Sequence, residues 1–192
     1  LKYKKKIDEN IFFYKNNIKD KINQISQNID QKNELNFLHS GHLGDLIYAL
    51  PLIKELGKTK KCNLFIEINK KNKLHYHNHP SGDILISRKS YDLLFPLLNM
   101  QKYLNSVCEF NNNRIDVDLN LFRQMPFNII FHSIRWYSHL TGVPLDMSNS
   151  FLEVEKIESF KDKISILRSH RYRNEHINYN FHCMGFLILQ LF

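Results

Sequence analysis

Apolar residues recur along the first 34 positions at spacings of three, four and seven: Ile7, Ile11, Ile18, Ile22, Ile25 and Ile29. Those intervals put the isoleucines on one stripe of a helix whose other sides are polar and basic. The pattern then changes. Leu35 to His39 reads as a strand, a loop with glycines at 41 and 44 follows, and an amphipathic helix runs from about Asp45 to Leu56, where Pro51 should kink it or mark a late start. Further strands are expected at Asn63 to Ile68, Asp83 to Ser87, Val107 to Phe110, Phe151 to Val154 and Ile164 to Arg168. Helices are expected over 90–104, interrupted by Pro96, and from Asn128 to Leu140, terminated by Gly142 and Pro144. Residues 69–82 form a polar loop, and no internal repeat is visible. Strands alternating with helices predict an α/β, Rossmann-like domain with a mostly parallel sheet.

The strand, turn and helix around residues 37–57 carry the most chemistry. Gly41 and Gly44 lack a Cβ, so the backbone can turn sharply and approach a ligand, while a helix start offers unpaired N–H groups. Asp45 argues against a simple phosphate cradle, because its carboxylate already occupies the positive end of the helix dipole. A carboxylate at a loop tip suits a hydroxyl-bearing substrate, which it can bind or deprotonate. Aspartate is equally a preferred helix cap, so position alone does not decide. His39 and His42 flank the same turn and could contact a sugar hydroxyl or a phosphate.

The run from His39 to Leu56, HSGHLGDLIYALPLIKEL, resembles the opening motif of family 9 glycosyltransferases, the ADP-heptose:lipopolysaccharide heptosyltransferase type, with the match running from Gly44-Asp45 through Pro51. Looser similarity continues at residues 91–98, 115–119 and 168–174. The resemblance implies the N-terminal half of a GT-B fold, two Rossmann-like domains facing a cleft, with the acceptor on the first domain and a nucleotide sugar on the second. It implies metal-independent transfer with inversion, Asp45 acting as the base on the acceptor hydroxyl, and no cofactor beyond the nucleotide-sugar donor. Ser40, Gly41, His42 and Gly44 are then expected to bind substrate. Arg168, Ser169, Arg171 and Tyr172, a basic and hydroxyl-rich turn after a strand, are expected to meet the donor phosphates, for which arginine forks are suited. The expected partners are a nucleotide sugar and a glycan or lipid-linked acceptor, at a membrane surface.

Length bounds that reading. With 192 residues and 43% hydrophobic content the chain can bury one good core, whereas a two-domain GT-B enzyme needs roughly twice as much. The organisation expected is a basic helical extension over 1–34, an acceptor-binding domain over 35–160, and over 161–192 the start of an incomplete donor domain or a tail. The chain begins at Leu1 and reads as a fragment or truncated form. Its formal charge of +8 suits anionic partners, although the lysines are scattered, which makes nucleic acid the weakest of these. Cys62, Cys108 and Cys183 form no paired motif, as in a reducing cytoplasm. No run reaches the ~18 apolar residues of a membrane span. His75, His77 and His79 alternate as a metal pair would, but no carboxylate or cysteine completes a set nearby, so no metal is expected. Arg135-Trp136-Tyr137 could stack on a sugar, yet aromatics at helical spacing belong more often to a core.

Overall fold

The computed structural model describes residues 2–71, 83–125 and 132–155. The chain divides into two compact units, Leu1–Val154 and Glu155–Phe192. Among the described residues the elements of the first unit are, in order, α1 (Lys2–Asn17), α2 (Lys19–Gln31), β1 (Glu34–His39), α3 (Leu43–Gly57), β2 (Lys61–Ile66), α4 (Arg88–Asn99), β3 (Ser106–Glu109), β4 (Val117–Asp118), a 3-10 turn (Leu119–Gln124) and α5 (Ser133–Thr141).

The isoleucine stripe forms two helices instead of one. Asn16 and Asn17 donate side-chain hydrogen bonds to the carbonyls of Phe12 and Phe13, at 2.7 and 3.0 Å. They compete for acceptors that helix amides would use, and α1 ends there. Ile18, Ile25 and Ile29 nevertheless share the core of the following domain, so α2 is part of that domain's structure. Pro51 neither starts nor ends α3, which runs through it, and α4 runs through Pro96 to Asn99. Gly142 closes α5 in the left-handed conformation at φ 75°, the role expected of it.

Two expected strands are absent. Residues 83–87 contribute a single antiparallel bridge, Ile84 to Lys71, and then Ser87 accepts from Ser90 N–H at 3.1 Å to cap α4, which leaves no room for a strand. Residues 151–154 form no strand because side chains take their main-chain groups. Tyr103 Oη donates to Phe151 O (2.8 Å), and Gln101 exchanges two hydrogen bonds with Glu153. The expected strand at 164–168 lies outside the described residues.

The four strands pair only in parallel, in the order β3-β2-β1-β4, so the α/β Rossmann-like expectation holds. In β1 every second residue is buried: Leu35, Phe37 and His39. Their partners Cys62, Leu64 and Ile66 on β2, and Val107 and Val117 beside them, lie on the same face and join the core. The opposite face is mixed, with Leu38, Phe65 and Cys108 in one row and a polar row beside it. Asn36, Asn63 and Ser106 stand in register across three strands. Asn63 Nδ2 donates to Asn36 Oδ1 (2.9 Å) and Glu34 Oε1 (2.7 Å), and Asn63 Oδ1 accepts from Asn105 and Ser106.

Right-handed connections explain this one-sidedness. The crossovers through α3 and α4 advance in one direction and cover one face, so the return from β3 to β4 must pass over the other. That return, residues 110–116, contains no helix, and the Arg114 carbonyl accepts from Asn36 Nδ2 at 2.9 Å. A short strap thus lies where a doubly wound domain carries a helix, and the strands alternate instead of reading as apolar runs. At its end Asp116 clips three elements together. Its carboxylate pairs with Lys32 after α2 and accepts the Asn36 amide of β1, while its carbonyl accepts from Asn28 Nδ2.

If α2 belongs to the core, Ile29→Ala should cost roughly 2–5 kcal/mol. The exposed Phe12 of α1 should tolerate alanine within about 0.5 kcal/mol. Urea denaturation of both variants measures the contrast, and equal, negligible effects would make residues 1–34 a detached extension.

Candidate functional site

β1 is flanked by β2 on one side and β4 on the other. The chain leaves the carboxyl end of β1 toward β2, while β4 arrives from the far side, so the turn after β1 and the turn after β4 face each other. This is the switch point at which open α/β sheets form their ligand crevice.

The two turns are bolted together. Ser40 is buried, and both its N–H and its hydroxyl donate to Asn120 Oδ1 at 2.8 Å. Asn120 is in turn oriented by Asp118 Oδ1, which accepts its amide at 3.0 Å and its side chain at 2.8 Å. Gly41 donates its N–H to His39 Nδ1 at 2.9 Å. A Cβ built there would collide with Arg123 Nη2 and His39 Cε1, so Gly41 permits close packing and not a left-handed backbone. His42 Nδ1–H donates to Leu85 O at 3.0 Å, tying the turn to the connection before α4. Gly44 is exposed, and a Cβ there would meet nothing within 4 Å.

Asp45 lies in the first turn of α3. Its Oδ2 accepts the His42 N–H at 3.2 Å and pairs with Arg123 Nη2 at 2.5 Å. Both side chains are about one-fifth exposed, 21% and 24%, so the pair sits at the crevice mouth. Among the described residues both contacts fall on Oδ2, and Oδ1 has no hydrogen-bond partner. The carboxylate therefore serves as helix cap and ion-pair partner at once, while one oxygen keeps its capacity to accept a further proton donor.

His39 is fully buried, which corrects the expectation that it could reach a sugar. Burial, assisted by the positive charge of Arg123, lowers its pKa from 6.5 to about 3, so the ring is neutral. Its Nε2 lies 2.9 Å from the Tyr137 hydroxyl, which donates to the Asp45 carbonyl at 2.8 Å. Tyr137 is buried too, and Trp136 stacks on Phe122 with centroids 5.0 Å apart and planes 11° from parallel. That pair belongs to the packing behind the site, whereas Arg135 is exposed. Desolvation raises the Tyr137 pKa well above its usual 10, which keeps the phenol protonated.

Arg168, Ser169, Arg171 and Tyr172 lie outside the described residues, as do His75, His77, His79 and Cys183. Among the described residues no group of three or more His, Cys, Asp or Glu side chains could hold a metal. Cys62 is buried, with its thiol pushed up to about 12 by burial, and Cys108 is exposed. No helix among the described residues is long and apolar enough to cross a membrane. A cavity of about 440 Å³ sits at the opposite, amino end of β1 and β2, lined by Glu34 and Lys61, and another of about 460 Å³ lies beside Lys54 and Asp146. Neither reaches Asp45.

Sequence reasoning missed Asn120 and Arg123, and it read Tyr137 as a stacking or core aromatic and not as the hydroxyl that reaches Asp45. Asp118 two residues before Asn120 is a recognisable side-chain turn, but nothing local ties Arg123 or Tyr137 to Asp45, 78 and 92 residues away. Compared with family models, curated proteins and solved structures, the chain finds no match in any of the three.

The two glycines should respond oppositely to alanine. Gly41→Ala should destabilise by roughly 1–3 kcal/mol through overpacking, whereas Gly44→Ala should stabilise by about 0.5–1 kcal/mol, as thermal melts would show. The lowered pKa of His39 gives a pH dependence of fixed sign. Between pH 6.5 and about 3 the unfolded chain binds the proton that the folded chain refuses. Stability therefore falls as pH drops through that window, with a slope approaching ~1.4 kcal/mol per pH unit. His39→Gln should lose that component when urea midpoints are compared between pH 7 and 4, and parallel curves would contradict a buried neutral ring.

Proposed function

We propose that the turn from Ser40 to Asp45 is the acceptor side of an inverting, GT-B-type glycosyltransferase. In this reading Asp45 takes the proton from an acceptor hydroxyl as that oxygen attacks the anomeric carbon of a nucleotide-linked sugar. The bond from that carbon to the diphosphate breaks, and the nucleotide leaves as an anion. Configuration inverts because attack comes from the face opposite the leaving group.

One observation carries the reading: a partly exposed carboxylate at the switch point, fixed through Oδ2 by Arg123 and the His42 amide. The resemblance of residues 39–56 to family 9 glycosyltransferases supports the same assignment. From it come the nucleotide-sugar donor, a glycan or lipid-linked acceptor of the lipopolysaccharide type, and a cytoplasmic, membrane-surface setting. Donor phosphates are assigned to Arg168 and Arg171, with Ser169 and Tyr172 beside them.

A second reading is a non-catalytic glycan- or nucleotide-binding module. Arg123 favours it, since its guanidinium offsets the negative charge of Asp45 at the helix start, and the repulsion of an anion argued from Asp45 alone is weakened.

Asp45→Asn separates the two. It keeps the shape and loses the proton-accepting charge, so turnover should fall ~100- to 10,000-fold in steady-state kinetics with a nucleotide sugar, while acceptor affinity changes little because the amide still hydrogen-bonds. Near-normal turnover in this variant ends the general-base assignment. Ligand binding without turnover in the parent chain favours the module.

A further inference from the structure

Both ends of the candidate turn hang from one buried ring. The Gly41 amide donates to His39 Nδ1, His39 Nε2 meets the Tyr137 hydroxyl, and that hydroxyl donates to the Asp45 carbonyl, in steps of 2.9, 2.9 and 2.8 Å. Every direction in this chain is forced. An amide only donates, so Nδ1 must present its lone pair. A carbonyl only accepts, so the tyrosine's single hydrogen goes to Asp45, and the phenol oxygen can only accept from Nε2. Nε2 therefore carries the ring proton, and one tautomer of the neutral imidazole satisfies all three bonds. An imidazolium would turn Nδ1–H against the Gly41 N–H and break the chain.

Water cannot substitute for a missing member. His39 and Tyr137 are both 0% exposed, so a partner removed on either side leaves a buried polar group without a bond. The charged and titratable groups around the ring come from three elements: Arg123 from the 3-10 turn, Asp45 from α3 and Tyr137 from α5. Arg123 is cationic and its partner Asp45 is already paired with it, so the surroundings give no net anion to stabilise a protonated ring. A phenylalanine at 137 could pack against Phe122 as the tyrosine does. The hydroxyl is what reaches the turn, through bonds to residues 98 and 92 positions away.

We propose that Tyr137 and His39 are positioning residues for Asp45: they fix the Gly41 to Asp45 turn in the shape that aims the carboxylate into the crevice, and they fasten that shape to helix α5. The effect on turnover rests on the transfer reading; the positioning of the turn does not. Asp45 is then held in two ways, by Arg123 and the His42 amide on its carboxylate and by the Tyr137–His39 chain on its backbone.

The test uses the full chain, with nitrogen-15 NMR of the histidine rings and hydrogen exchange of the Gly41 amide. In the parent protein His39 should show a protonated Nε2 and a bare Nδ1, unchanged from pH 8 to 5, and a protected Gly41 amide. Tyr137→Phe should shift the Nε2 resonance and speed Gly41 exchange by about tenfold, the size expected for one lost hydrogen bond. His39→Asn keeps an acceptor near Gly41 but cannot reach Tyr137, so it should resemble Tyr137→Phe. A proton on Nδ1, titration of His39 near pH 6.5, or unchanged His39 and Gly41 signals in Tyr137→Phe would each overturn the proposal, and the first two need no variant to fold. Turnover of ADP-heptose, used as the probe nucleotide sugar, adds a kinetic arm. Tyr137→Phe should lower kcat about tenfold and leave KM for the donor within twofold. A parent chain that turns over no nucleotide sugar, yet keeps the NMR signature and its response to Tyr137→Phe, sinks the transfer reading and sustains the positioning.

Discussion

The pairing of β1 with β4 is the constraint on which the site depends. The ladder sets Phe37 beside Val117 and Leu38 beside Asp118. Continued by two residues, that register brings Asn120 level with Ser40, where one side-chain oxygen accepts both the amide and the hydroxyl of Ser40. Three residues further on, Arg123 arrives at Asp45. A slip of one residue would turn the alternate side chains to the wrong face, burying Asp118 and withdrawing Asn120. The crevice is thus a product of register, and its residues need no closeness in sequence.

Much the same economy governs the sheet's second face. Parallel strands are ordinarily covered on both sides and are apolar throughout. Here the crossover on one side is a seven-residue strap, residues 110–116, too short to bring a helix with it. Asn36, Asn63, Asn105 and Ser106 answer by bonding one another, so buried amides such as that of Asn63 are satisfied without a helix above them. Asn112, at φ 54°, lets the strap turn tightly where asparagine tolerates the left-handed region.

Where sequence reading succeeded, the signal was local. Leu35 to His39, the turn at Gly41 to Gly44 and the end of α5 at Gly142 each follow from periodicity or from a residue whose backbone preference is strong. Where it failed, a competing interaction lay elsewhere in the chain. Residues 83–87 and 151–154 have the apolar content of strands, yet Ser87 is drawn into a cap and Phe151 and Glu153 into bonds with Tyr103 and Gln101. Pro51 is tolerated inside α3, where tertiary packing buries the helix nearly all round and outweighs one lost hydrogen bond. Ser40, Gly41, His42, Gly44 and Asp45 were all legible as a turn. Their roles were not, because Asn120 and Arg123 come from the 3-10 turn and Tyr137 from α5. Periodicity says nothing about which distant side chain will be opposite.

The clip at Asp116 carries a consequence for handling the protein. A basic, hydrophilic amino-terminal stretch invites removal, as though it were a leader ahead of the folded part. Cutting after Gln31 would take Asn28 away and leave Lys32 as a frayed chain end, so the buried Asp116 carboxylate would lose the order of its cationic partner and its carbonyl would lose its donor. An uncompensated buried charge is relieved by letting water in, and here water would enter between β1 and β4, the seam that delivers Arg123. Trimming at one end of the polypeptide would thereby be felt as misalignment of a carboxylate on the far rim of the sheet.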